Sequence, residues 1–180
     1  DIIPGNHDVY YKNTNELNAL KELQGHYMNE VNLVMEPTVM DYDGLKVALV
    51  PWINAENEEA SLKFLKSTKA TIVGAHLELQ GFDMMRGMPC MHGMSADHFK
   101  RFELVMTGHF HAKSSVGNIH YLGAQMEFFW NDAHDPKHFH ILDTETRELT
   151  AIKNPITLHE KIYYDAEKMS NQQFKDMRYL

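Results

Sequence analysis

Apolar positions along the chain switch between helical and extended spacing. From Asn13 to Gln24 the pattern NTNELNALKELQ sets Leu17, Leu20 and Leu23 at helical intervals, with Asn and Thr as caps before it and Gly25 to stop it, which predicts a short amphipathic helix. Val31 to Val39 is mixed apolar and interrupted by Pro37, so it reads as a short strand and connector. Asp41-Tyr42-Asp43-Gly44 reads as a turn, and Leu45 to Trp52 as a strand buried on both faces. Glu56 to Ser67 returns to helical period, with Ala60, Leu62, Phe64 and Leu65 on one side and acids in the first turn. Thr71 to Ala75 is a further strand ending at His76. A long Met- and Gly-rich loop follows, from Leu77 to Ser95, of the kind that is functional or mobile in a compact domain. A short helix from Ser95 to Phe102 leads to a strand at Leu104 to Thr107, ending at Gly108-His109. Ile119 to Leu122, His138 to Asp143 and Leu149 to Lys153 then suggest an antiparallel meander. This order predicts an α/β fold, a sandwich of two mixed sheets with outer helices.

Length and composition add further constraints. A chain of 180 residues is most simply one domain, which buries roughly 70% of its unfolded surface. A formal net charge of −8 argues against a general polyanion-binding surface, since phosphate neutralisation needs clustered Lys and Arg, but a metal could supply positive charge locally. The lone Cys90 excludes an internal disulfide and fits a reducing compartment. No run approaches the roughly eighteen apolar residues of a membrane span, and no stretch reads as a signal peptide, so the expectation is a cytoplasmic protein without membrane contact. Opening at Asp1, in what reads as the last residues of a strand, the sequence carries the expectation of lost upstream sequence.

The twelve histidines direct attention to metal chemistry. Three stretches place a histidine beside a glycine at the end of an apolar run: Gly5-Asn6-His7-Asp8, Gly74-Ala75-His76 and Gly108-His109-Phe110-His111. Ligands at strand ends are held rigidly while their tips face a cleft outside the sheet edge. His109 and His111 are two apart, so in an extended chain both would point to one side with Cα atoms about 7 Å apart. That spacing suits two metals roughly 3.5 to 4 Å apart. Asn6 could offer a carbonyl oxygen. His7 could protonate a leaving oxygen, with Asp8 orienting it and holding it cationic. Lys12 and Lys113 directly follow these stretches and are candidates for phosphate contacts. His120, His138 and His140 read as surface or satisfied core residues, and the methionines from Met84 to Met94 as adaptable packing.

These three stretches resemble the last three of the five motifs of calcineurin-like metallophosphoesterases. More closely, PGNHDVYYKN, GAHLELQGF, GHFHAKS and LDTETRE resemble the SbcD-type recombination nuclease subunits of T-even-like phages, over nearly the whole chain. The resemblance implies a four-layer αββα sandwich of two mixed sheets, lacking its N-terminal strands. Residues 1–154 would form a nuclease domain truncated at its N-terminus, and 155–180 the start of a truncated DNA-capping domain. It implies that Asn6, His76 and His109 ligate one metal and His111 the other, that His7 is catalytic with Asp8 as its partner, and that the metals are two divalent ions, most readily manganese. The implied reaction is hydrolysis of a DNA phosphodiester in recombination and repair. The implied partners are DNA, an SbcC-type ATPase and, in the complete protein, a second copy, in the cytoplasm of the host cell.

The family's first two motifs, Asp-x-His and Gly-Asp, precede Asn-His-Asp and have no counterpart here. Asp132-Ala133-His134 has the first motif's spelling but the wrong place in the order, and reads as a loop coincidence. Asn6, His76, His109 and His111 are all neutral, whereas two divalent ions bring four positive charges. The expectation is that these 180 residues alone bind at most one metal weakly and have little nuclease activity. Two alternatives stay open from the sequence: a phosphatase or cyclic-nucleotide phosphodiesterase on the same scaffold, and a non-catalytic remnant or binding subunit.

Overall fold

The structure, a computed structural model, describes residues 1–26, 30–85 and 87–161. Two strands, β1 (Thr38–Tyr42) and β2 (Leu45–Val50), form an antiparallel hairpin across Asp43-Gly44. Both turn residues have positive φ, 52° and 94°, the backbone hand that continues the twist of paired strands and that Asp and Gly tolerate best. β2 then pairs in parallel with β3 (Ile72–His76), reached through the helix α2 (Glu58–Ser67), while the earlier helix α1 (Ala19–Gln24) lies outside the sheet. After a small hairpin, β4 (Asp83–Met85) and β5 (Met88–Pro89), the chain returns as β6 (Leu104–Gly108), parallel to β3. β7 (Ser114–Val116) and β8 (Ile119–Tyr121) complete a six-stranded mixed sheet in the order β1-β2-β3-β6-β8-β7. A separate two-stranded sheet joins β9 (His138–Leu142) to β10 (Leu149–Lys153).

The central strands carry apolar residues at consecutive positions because both faces are covered. Ala48, Val50, Val73, Ala75 and Val105 pack on one side with Leu65 of α2, Phe99, Phe102 and Tyr121. Val47, Ile72 and Leu104 form the other face, against which Leu142 of β9 packs. Arg101 ties the end of α2 to this framework, its guanidinium donating to the carbonyl oxygens of Leu65 and Thr68.

Four expectations change. The helix foreseen from Asn13 to Gln24 is only six residues long and buries none of its residues fully. Its first half is held instead as a loop by its asparagines: Asn15 Nδ2 donates to Trp52 O at 2.8 Å, Asn54 Nδ2 donates to Asn15 Oδ1 at 2.8 Å, and Asn18 accepts the Lys21 N–H as N-cap. The strand foreseen over 31–39 forms at 38–42, with only an isolated bridge from Leu33 to Ile2 before it. The meander is divided, since β8 joins the large sheet parallel to β6 and only β9 and β10 pair with each other. The helix foreseen at 95–102 is a single 3-10 turn, Ala96–Phe99, capped by Ser95. The expectation for a capping domain over 155–180 falls mostly on residues 162–180, outside those described. Among the described residues no helix is long and apolar enough to cross a membrane.

Candidate functional site

Parallel pairing of β3 and β6 sets His76 opposite Gly108, so the residues leaving both strands emerge side by side. The N-terminal stretch is brought to the same edge by two backbone contacts. Ile2 bonds to Asn32 and Val34, and Trp52 N–H, just past β2, donates to Pro4 O at 2.9 Å. The turn Asn6-His7-Asp8 therefore stands over the carboxyl ends of the parallel strands, the edge at which such sheets place ligands.

Three polar atoms converge there. His76 Nε2 lies 2.8 Å from Asn6 Oδ1, and His109 Nδ1 lies 3.1 Å from the same oxygen, joining residues 70 and 103 positions apart. Trp52 stacks on His109 with ring centroids 5.4 Å apart and meets His76 edge-on at 6.0 Å. The imidazole of His76 is also gripped between two glycines. An added Cβ would fall 2.7 Å from its Cε1 at Gly5 and 3.1 Å from its Nδ1 at Gly108, so only glycine lets these backbones approach so closely. His109 has φ of 99°, a strained value for a residue with a side chain and of order 1–3 kcal/mol above a relaxed backbone.

Burial, and after it the neighbouring His109, His7 and His111, push His76 down to about 4. Burial also lowers His109, against an opposing pull from Glu78. Both rings are thus neutral at pH 7, the form in which imidazole ligates metals.

Two of the three donor separations match those of adjacent ligands on one cation. Adjacent ligands each about 2.1 Å from an octahedral metal lie about 3 Å apart, close to the separations seen here. Among the described residues, no group of three or more His, Cys, Asp or Glu side chains could hold a metal, so the cluster reaches three donors only through the Asn6 carbonyl. His111 is not one of the three. The stretch from His109 to Lys113 is bent and not extended, contrary to the spacing argument, because β6 ends at Gly108 and Phe110 turns inward to stack on buried Tyr121. His109 and His111 nonetheless line one cavity of about 420 Å³, with Met84, Met85, Phe129 and Asp132.

The other expected residues divide. His7 is exposed on the turn. Asp8 has a different partner from the one expected: its Oδ2 accepts the Gly5 N–H at 2.7 Å, closing the turn and leaving no hydrogen bond to His7 among the described residues. Lys12 is exposed and makes no hydrogen bond among the described residues. Lys113 is exposed and stands near His120 and His140, lowering both after the effect of burial. Neither lysine is brought onto the Asn6 cluster.

Three contributors were invisible as motifs. Trp52 read only as the end of a strand. Glu78 read as part of a loop, yet its Oε2 lies 3.6 Å from His109 Nε2, giving the neutral cluster an acidic neighbour. Asp132 read only as part of the spelling it shares with Ala133 and His134; its carboxylate is buried and lies 3.1 Å from His111 Nδ1. Burial alone would raise Asp132, but bonds from the Phe129 N–H, Lys137, His111 and the Phe128 N–H outweigh it and hold the carboxyl at about 2. The role of Asp132 comes from the return of residues 128–137 onto His111 and owes nothing to the Asp-x-His spelling.

No protein-family model matches the chain. It is similar to Exonuclease subunit 1 of Enterobacteria phage T4, with 38% identity over 162 residues, which make up 90% of this chain and 47% of that protein. The chain thus spans about half the length of the curated relative it matches, and that likeness bears out the resemblance to phage recombination nuclease subunits read from PGNHDVYYKN, GAHLELQGF, GHFHAKS and LDTETRE.

Proposed function

We propose that this chain contributes part of a metal-dependent DNA nuclease site, acting on phosphodiesters in phage recombination and repair. The observation that carries the reading is the meeting of Asn6, His76 and His109 at the carboxyl edge of parallel strands, from three segments far apart in sequence. The likeness to an exonuclease subunit supports the substrate class, DNA, and an assembly with other chains. By the resemblance of the motifs, that assembly includes an SbcC-type ATPase and a second copy, in the host cytoplasm. The mixed six-stranded sheet and the smaller sheet against it would be the inner layers of a calcineurin-like sandwich.

Asn6, His76 and His109 would hold one divalent cation, manganese by family resemblance, and His111 would serve a second. Such metals supply Lewis-acid polarisation of the phosphodiester and activation of water near neutral pH. The protein's own contribution is to keep His76 and His109 neutral, to fix them against Trp52 and the two glycines, and to present His7 at an exposed turn. From there His7 would deliver a proton to the leaving oxygen. The donors present are neutral, so two divalent ions would need further acidic ligands. The 180 residues alone should bind one manganese ion weakly, and two tight sites in a manganese titration would contradict this reading.

The test of function uses the full gene product that contains this chain. Wild type should release nucleotides from duplex DNA ends with manganese. His7→Ala should slow turnover while retaining metal, and His109→Ala should lose metal. Preference for a chromogenic phosphomonoester over DNA would overturn the substrate assignment.

A further inference from the structure

His111 is fixed from four directions, and of its two ring nitrogens only Nε2 has no hydrogen bond among the described residues. Its main-chain oxygen accepts the Ala124 N–H at 3.0 Å and the Lys137 ammonium at 3.2 Å. Its ring lies parallel to that of Phe129, 1° apart with centroids at 5.3 Å. Nδ1 faces both oxygens of Asp132, at 3.1 and 3.3 Å. The carboxylate is itself held by the Phe128 and Phe129 N–H groups at 2.9 Å each and by Lys137 Nζ at 3.1 Å, which also reaches Asp135 at 2.8 Å.

Asp132 and Lys137 are 6% and 4% exposed, an ion pair taken out of water where apolar residues would fold at least as well. An ionised carboxylate only accepts, so a neutral His111 bonded to it must carry its proton on Nδ1 and leave the Nε2 lone pair bare. His109 has no carboxylate in that role: Glu78, 3.6 Å from its Nε2, is too distant for a hydrogen bond, and its Nδ1 faces the Asn6 carbonyl oxygen at 3.1 Å.

We propose that Asp132, held by Lys137, is a positioning residue that fixes His111 as the Nδ1–H tautomer and aims Nε2 into the cavity shared with His109. The inference rests on the proposed function only in treating Nε2 as a metal donor; the tautomer itself does not depend on it. Carboxylates behind ligating histidines fix ring orientation and raise basicity, and their loss typically lowers metal affinity about 10–100-fold.

The test is ¹⁵N-edited imidazole NMR of the metal-free chain above the range of histidine titration, with a manganese titration of the full gene product alongside. Wild-type His111 should show a protonated Nδ1 and a bare Nε2. Asp132→Asn should shift it toward a mixed or Nε2–H form, with His76 and His109 signals unmoved, and in the full gene product it should reduce manganese affinity at the His111 site about 10–100-fold. Because Asp132→Asn takes away one of the two carboxylates paired with buried Lys137, the double change Asp132→Asn with Lys137→Met provides a second variant expected to fold and to show the same shift. An Nε2–H tautomer in wild type, or a tautomer unchanged in the folded variants, overturns the proposal. Absence of manganese binding by a wild type with the expected tautomer counts against the proposed function and leaves this assignment standing.

Discussion

Gly5→Ala is a small substitution aimed at the centre of the cluster. The new Cβ would lie 2.7, 2.9 and 3.0 Å from Cε1, Nδ1 and Nε2 of His76, across the face of the ring. The ring has little room to retreat, because Gly108 approaches its Nδ1 within 3.1 Å of an ideal Cβ position, Trp52 meets it edge-on and Asn6 holds Nε2. Overpacking of this kind costs about 1–3 kcal/mol. Losing the bond to Asn6 adds about 0.5–1.5 kcal/mol, so a total of about 1.5–4.5 kcal/mol is expected. The left-handed region plays no part, since Gly5 is not among the positive-φ glycines. Gly25→Ala is the matched control: its φ is −57° and nothing lies within 4 Å of the added Cβ, so it should be neutral or stabilising by about 0.4–1 kcal/mol. Urea unfolding of the three metal-free proteins measures the difference, with the imidazole signals of His76 as a local readout. A Gly5→Ala protein that unfolds at the wild-type midpoint, with unmoved His76 signals, would refute the grip on the ring.

Three other outcomes follow from the same framework. Tyr121→Phe removes a hydroxyl that accepts the Leu79 N–H at 3.0 Å and donates to Leu77 O at 2.9 Å, so two buried backbone groups lose their partner. Unfolding should show a loss of about 2–4 kcal/mol, and a loss below about 0.5 kcal/mol would contradict the network. Gly93→Ala would press a Cβ to within 2.6–2.7 Å of the backbone from Glu78 to Gln80, which cannot yield as a side chain can. Amide exchange at Gln80 and Met94, which pair across that contact, should accelerate, and unchanged protection would argue against the close approach. Finally, His76 titrates near 4 when folded and near 6.5 when unfolded, so between these values the unfolded chain binds more protons. Stability of the metal-free protein should be full above pH 6.5 and fall toward pH 4, by up to about 3 kcal/mol at a slope approaching about 1.4 kcal/mol per unit. Equal slopes in wild type and His76→Asn would show that His76 is not the group responsible.

What could be read from the sequence was whatever depends on local pattern. The strands at 45–50, 72–76 and 104–108 announced themselves because both faces are covered and nearly every position is apolar. Asp43-Gly44 marked a hairpin by its chemistry alone. The histidines at strand ends pointed to one edge, and three of the expected donors meet there or beside it. What escaped depends on tertiary partners. Asn15 and Asn18 look like solvated helix residues until their amides are seen stitched to Trp52, Asn54 and the start of α1. Lys137 looks like a surface lysine and is buried, because Asp132, Asp135 and the His111 carbonyl satisfy its three protons. Asp8 next to His7 suggested a pair, but the nearer Gly5 N–H takes its carboxylate.

The parallel register of β3 and β6 also bears on how the molecule forms. The β1–β2 and β7–β8 hairpins close over short turns and can appear early. The β2–β3 and β3–β6 pairs are parallel and each closes across a long intervening segment, and such non-local pairing is slow because loop closure precedes its reward. Asn6 and His109 meet only after those central strands have docked. Kinetically, the cluster is a late event, and the imidazole signals of His76 and His109 during refolding would therefore report completion of the whole sheet.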